Sequence, residues 1–205
     1  MIQVILLSIT PESEALIARC ARVSHRSESR GTENDWELIS KLIKLGHESI
    51  LEHAVATFEI SGISRACANQ LTRHRLASFV QESQRYVNVA DRALIRPPTF
   101  FAEAWAEAQE LYQRVLVLYE KYLQQVIPKE DARFILPIGA ETRLVITANF
   151  RECRHILRLR LHATAQWEIR EVCREILNIL AREAPSVFED LKEGLLTPRP
   201  RERGS

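Results

Sequence analysis

Apolar and polar positions change rhythm several times along this chain, and each change marks an element. Residues 2 to 8 alternate weakly and are rich in β-branched side chains, which predicts a strand. It ends at Thr10-Pro11, an N-cap followed by proline at the first helical position, and a helix runs on to about Val23. The polar run SHRSESRGTEND, residues 24 to 35, has no period and predicts a mobile loop. Trp36, Ile39, Leu42, Ile43 and Leu45 recur at helical spacing until Gly46 stops the helix. From His53 to Ile60, Val55, Thr57 and Glu59 alternate against Ala54, Ala56, Phe58 and Ile60, as in a half-buried strand. Ser64 is positioned to cap a helix running to about Arg75. A long amphipathic helix between Thr99 and Val126 reads as scaffold. A short helix opens at Pro128 and breaks at Leu136-Pro137, after which TRLVITANF predicts another strand. Two helices follow from Asn149, FRECRHILRLRLH and, after Thr164, AQWEIREVCREILNILARE. The tail from Leu195, LLTPRPRERGS, is rich in proline and arginine without an apolar face and is expected to be disordered. Strand, helices, strand, helices is neither a βαβ series nor all-helical, so the expectation is one α+β domain over residues 1–194 with a tail at 195–205.

Composition narrows the partners. The 205 residues are 46% hydrophobic, enough for one sizeable core. Lys and Arg number 28 against 27 Asp and Glu, so no global field recruits a nucleic acid or an anionic membrane. No apolar run approaches a membrane span, and MIQVILLSIT lacks the charged front of a signal peptide, so a cytoplasmic protein is expected. Cys20, Cys67, Cys153 and Cys173 form no C-x-x-C pair, which points to reduced core thiols and neither a zinc site nor a disulfide framework.

Three polar segments interrupt the apolar pattern. RHRLASFVQESQRY, residues 73 to 86, offers Arg73, His74, Arg75 and Arg85 as cations, with Ser78, Ser83, Gln81 and Gln84 for hydrogen bonds and Phe79 and Tyr86 as flat surfaces. Guanidinium groups pair bidentately with phosphate, so the segment suits a nucleotide. A solvated turn is the plain alternative, and polynucleotide binding ranks below a mononucleotide because no extended basic surface accompanies it. The second segment follows the strand that ends at Asn149. Arg151, His155 and Arg158 share one helix face, Arg160 projects from another, and Arg154 completes the set, so one helix could address two ligands unless these arginines merely border an apolar stripe. The third, GHESILEH, holds His47, Glu48, Ser49, Glu52 and His53, but its H-x-x-x-x-x-H spacing does not place both imidazoles on one helical face, so no metal site is read there. Neither G-x-G-x-x-G nor G-x-x-x-x-G-K-[ST] occurs, which removes the Rossmann and P-loop readings.

The order Arg73-His74-Arg75, Ser78, Ser83, Arg85 resembles the R-H-R-x-x-S-x-x-x-x-S-x-R signature of the flavin-dependent thymidylate synthases, the ThyX family. The likeness extends to GHESILEH, the Gln70-x-x-Arg73 lead-in, Arg133 before ILP, TANFRE and LRLRLHATAQWEIR. The resemblance implies a small, mainly antiparallel sheet with long packed helices. It implies reductive methylation of dUMP to dTMP, with methylenetetrahydrofolate as carbon donor and FAD reduced by NADPH as hydride source, in a homotetramer whose subunits share ligand sites. For dUMP it implies Gln70, Arg73, Gln81, Glu82, Ser83, Gln84, Arg85, Arg133 and Arg160, the last activating the uracil as the catalytic residue. For FAD it implies Ser49, Arg73, His74, Arg75, Gln81, Asn149, Arg151 and His155. Gln81 stands where some members carry glutamate, and His155 where some carry asparagine; both keep hydrogen-bonding ability. A methyl acceptor carbon must be made nucleophilic, and no cysteine lies in the motif to add to the ring. The implied route is an N3-deprotonated, enolate-like uracil stabilised by Arg160, with Ser83 in a binding role.

Overall fold

The computed structural model of the chain describes residues 1–25 and 34–194. The anticipated loop falls largely on residues 26–33 and the anticipated tail on 195–205, both outside the described residues. Four strands form one antiparallel sheet in the order β1-β2-β4-β3. They are β1 Gln3–Ile9, β2 Val55–Ser64, β3 Ser78–Gln81 and β4 Glu141–Asn149. The main helices are α1 Ser13–His25, α2 Asp35–Lys44, α3 Arg65–Leu71, α4 Ala102–Gln124, α5 Lys129–Ala132, α6 Phe150–Arg160, α7 Trp167–Glu183 and α8 Pro185–Gly194.

Alternation along β2 decides which face of the sheet is covered. Ala56, Phe58 and Ile60 are buried and join Ile17, Ile39, Ile146, Phe150, Leu157, Ile169 and Phe188 in the main core. Thr57 and Thr147 point the other way and join hydroxyls at 3.0 Å across β2 and β4. The register of β2 against β4 shifts between Ile60 and Ile63, where Gly62 takes a φ of +68°. A Cβ there would lie 2.3 Å from the Met1 carbonyl oxygen, so the close passage of the N-terminus requires glycine.

Ser64 caps α3 as expected, accepting from the Cys67 N–H at 3.0 Å. It is itself fixed by the buried Glu168 of α7, which takes the Ser64 N–H and hydroxyl, each at 2.6 Å. The helix stops at Leu71, short of the expected Arg75. Thr72 closes it onto Ala68, and His74 and Ala77 donate to the carbonyls of Leu71 and His74 in two successive turns. Those turns reverse the chain so that Ser78–Gln81 can pair with Leu144–Thr147 as an edge strand. The predicted loop therefore contains β3. The expected strand at His53–Ile60 starts at Val55 and continues to Ser64, while Glu48–His53 forms a 3₁₀ turn. Other boundaries move as well: α1 starts at Ser13, beyond the expected start at Pro11, α4 runs from Ala102 to Gln124, and a final helix that was not anticipated, α8, opens at Pro185 and packs Val187 and Phe188 into the core.

All four cysteines are free. Cys67, Cys153 and Cys173 are core thiols as expected, whereas Cys20 is only partly buried. Burial pushes the Cys153 and Cys173 thiols up to about 12 and the Cys67 thiol upward as well, so these three stay protonated and unreactive near neutral pH.

Candidate active site

The strand β4 ends where α6 begins, and that junction organises one wall of a cavity of about 740 Å³. Asn149 caps α6 by accepting from the Glu152 N–H at 2.9 Å, and the Phe150 N–H donates to the Ala54 carbonyl at 2.8 Å. The apolar stripe of α6, with Cys153, Ile156 and Leu157, faces the core. Its register leaves Arg151, His155 and Arg158 on the open side, lining the cavity as their spacing predicts. The turn after α3 supplies the opposite wall with Arg73, His74 and Arg75, and the 3₁₀ turn adds Glu48 and Glu52.

The acidic residues of GHESILEH are partners for these arginines. Glu52 pairs with Arg151, and Glu48 with Arg158 at 2.7 Å. Burial works against the Glu48 charge, yet the pull of Arg158 and Arg154 outweighs it and holds the carboxyl below its usual range. Arg73 and Arg75 are exposed and form no ion pair among the described residues, which leaves two guanidinium groups at the cavity wall for an anion. Arg154 is not a solvated border residue. It is fully buried, forks onto Asp190 at 2.7 and 2.6 Å, also donates to the Val187 carbonyl, and so bolts α8 to α6.

His74 is buried at the back of the cavity. Burial, with the positive charges of Arg160 and His155, lowers its pKa to about 4, so its ring is neutral at physiological pH. The Nε–H of Arg160 donates to His74 Nε2 at 3.0 Å, and Arg160 Nη2 reaches the Gln70 carbonyl at 3.4 Å. His155 meets His74 edge to face, with ring centres 6.0 Å apart.

A second cationic group lies along the β3 edge and the loop after it. Arg85 pairs with Glu130 at 2.8 Å, and Arg133 donates to the Glu130 carbonyl at 3.1 Å. Half-buried Arg65 is held below the usual arginine range by burial and by the neighbouring Arg133 charge. The Glu82 carboxylate, whose side chain is only 5% exposed, grips Arg92 and approaches Arg143 at 3.2 Å, so it shapes the loop from within. Gln81 donates to Thr142 Oγ1 at 3.3 Å, the Ser83 hydroxyl accepts from the Arg85 N–H at 3.3 Å, and Gln84 is buried.

The cavity thus brings together Arg73, His74, Arg75, Asn149, Arg151 and His155, while Ser49, Gln81, Glu82, Ser83, Gln84, Arg85 and Arg133 lie outside its lining. Arg160 joins the cavity through His74 and also meets the Gln70 carbonyl. Sequence reasoning missed Glu152, which lines the cavity, and Arg65 beside the second group. The spacing Asn149-x-x-Glu152 signals only a helix start.

An α+β fold that carries a cation-lined cavity and a second arginine-rich group along the β3 edge is the class of architecture this site defines. The comparisons with known proteins identify the line of descent. The family described as "Thymidylate synthase complementing protein" matches residues 5–186. A flavin-dependent thymidylate synthase of Geobacter sulfurreducens is 37% identical, the alignment covering 95% of this chain and 89% of that protein. One of Pyrococcus furiosus is 42% identical over 82% of this chain and 72% of its own length. Among solved structures, thymidylate synthase X (ThyX) from Helicobacter pylori with FAD and dUMP superposes with a TM-score of 0.76 at 26% identity, covering 93% of this chain and 99% of that one. The chain belongs to this family, the flavin-dependent thymidylate synthases.

Proposed function

We propose that this chain methylates dUMP to dTMP as an FAD-dependent thymidylate synthase, using methylenetetrahydrofolate as carbon donor and NADPH as reductant. The observation that carries the reading is the cation-lined cavity, where Arg73 and Arg75 flank His74 and Arg160 is anchored on the His74 ring. FAD fits the donor set of the cavity. Arg73 and Arg75, which form no ion pair among the described residues, offer guanidinium groups to a diphosphate, and Asn149, Arg151 and His155 line the remainder within a volume typical of cofactor sites. FAD held there and reduced would supply the hydride that the methylation consumes.

The residues of this chain prepare the pyrimidine. Arg160 keeps two N–H groups on His74 and Gln70 and presents the remainder of its fork to the uracil. A fixed guanidinium there stabilises the negative charge of the N3-deprotonated ring, which makes C5 nucleophilic without thiolate addition. Ser83, Arg85 and Arg133 hold the phosphate and sugar, joined by Gln70, Gln84 and Gln81. Glu82 acts through its backbone and loop, because its carboxylate is engaged by Arg92 and Arg143.

Ser49 and Gln81 serve the flavin of a neighbouring subunit in a homotetramer, a reading supported by their position outside the cavity that holds the other flavin residues. The enzyme works in the cytoplasm without nucleic-acid or membrane partners; among the described residues no helix is long and apolar enough to cross a membrane. The test is formation of dTMP from dUMP, methylenetetrahydrofolate and NADPH. Product that appears only with FAD supports the reading, and no product with flavin bound refutes it. Light scattering checks the assembly: a stable monomer that still retains flavin ends the shared-site account.

A further inference from the structure

The carboxylate of Glu152 is buried beside His74, with Oε1 3.6 Å from Nδ1, and takes no part in the chemistry above. Its position acquires meaning from the other side of the ring. Arginine is always a donor, so the Nε–H of Arg160 at 3.0 Å demands a lone pair on His74 Nε2. The proton of a neutral imidazole then sits on Nδ1, the nitrogen that faces Glu152. A carboxylate at this distance favours a proton on that nitrogen and disfavours the opposite tautomer, whose Nε2–H would oppose the arginine. Both neighbours select the same ring state.

We propose that Glu152 is a positioning residue, which holds His74 as the Nδ1–H tautomer so that Nε2 anchors Arg160 and aims its remaining N–H groups at the pyrimidine. The inference rests on the reading of Arg160 as the uracil-facing arginine. The order carboxylate, imidazole, guanidinium turns a long flexible side chain into a fixed fork. Arg160 is held at Nε by His74 and at Nη2 by the Gln70 carbonyl, both contributed by α3 and the turn that follows it. Burial raises the Glu152 carboxyl pKa, and the His155 charge opposes that shift.

Protein labelled with ¹⁵N-histidine reads the ring directly, the His74 resonances being assigned by their loss in His74→Asn. At pH 7 the wild type is expected to show a protonated Nδ1 and a lone-pair Nε2. Glu152→Leu, a buried apolar replacement, is expected to lose the single-tautomer signature and to lower kcat on the order of tenfold to a hundredfold, with FAD content maintained. Glu152→Gln keeps an oxygen that can accept from Nδ1 and is expected to restore both the signature and most of the turnover. A wild-type ring protonated on Nε2, or on both nitrogens, overturns the proposal whatever the variants do. So does a Glu152→Leu protein with an unchanged ring signature and kcat. If the wild type neither takes up FAD nor responds to dUMP, the functional reading fails instead, and the ring spectrum still decides the tautomer.

Discussion

Replacing Arg154 by alanine probes how the site-bearing helix is held. The side chain is fully buried, makes a bidentate pair with Asp190 at 2.7 and 2.6 Å, and adds a bond to the Val187 carbonyl. Hydrogen bonds to charged groups contribute about 1.5–3 kcal/mol each, and breaking a buried pair by removing one partner costs about 3–5 kcal/mol. Here the loss belongs toward the lower end for electrostatics, because the Asp190 side chain is 49% exposed and can rehydrate. Val187 is fully buried, its carbonyl loses this donor, and the vacated volume sits in the contact between α6 and α8. The expected total is about 3–5 kcal/mol. Urea unfolding, followed by two probes at one fixed protein concentration, measures it. A double-mutant cycle with Asp190→Asn should return a coupling of about 1–3 kcal/mol. A loss below about 1 kcal/mol would mean that α8 is held by Val187 and Phe188 alone, and the view of Arg154 as a bolt would be wrong. Folded Arg154→Ala should still bind FAD, since Arg73, Arg75, Arg151 and His155 line the cavity without it.

Further expectations concern acid, backbone and catalysis. His74 titrates near 4 when folded against 6.5 when free, so between these values only the unfolded chain takes the proton and stability falls as pH drops through the window. The His74 part amounts to roughly 3 kcal/mol at most, isolated as the difference between wild type and His74→Asn in thermal melts from pH 7.5 to 4.5; parallel curves would contradict it. Gly62→Ala sets a Cβ 2.3 Å from the Met1 carbonyl oxygen at a φ of +68°, and should lower stability by about 2 kcal/mol in urea unfolding, whereas an unchanged midpoint would show that the N-terminus simply moves aside. Arg160→Ala should reduce dUMP-dependent turnover on the order of a hundredfold to a thousandfold while flavin content measured by absorbance stays near wild type. Equal loss of both would dissolve the division of roles along α6.

Long periodic segments were legible because their burial repeats. The Phe58 and Ile60 face of β2 and the Ile156 and Leu157 face of α6 are written in local spacing. β3 was not legible, since the four residues Ser78–Gln81 carry too short an alternation, and only pairing with β4 makes them a strand. The end of α3 was overestimated for a related reason: Arg73 to Arg75 are compatible with helix, but the chain must turn there to reach the sheet edge. α8 has one apolar cluster and draws its order from the core and from Arg154. At the site, the spacing of Arg151, His155 and Arg158 predicted their common face correctly. The ion pairs of Glu48 and Glu52 join segments about a hundred residues apart, and Glu152 meets His74 across a similar distance, so no local pattern announces them. Arg154 shows the limit of helical spacing most clearly, because a charge at the border of an apolar stripe can also be a buried one with a partner on another helix.

The proposed function requires that this chain hold a flavin and dUMP close together, with Arg160 anchored on His74. Visible absorption of FAD-reconstituted, desalted protein, recorded before and after addition of dUMP, tests it most directly. Retained flavin bands that shift with dUMP are the predicted result; a protein that keeps no flavin and gives no response to the nucleotide contradicts the account.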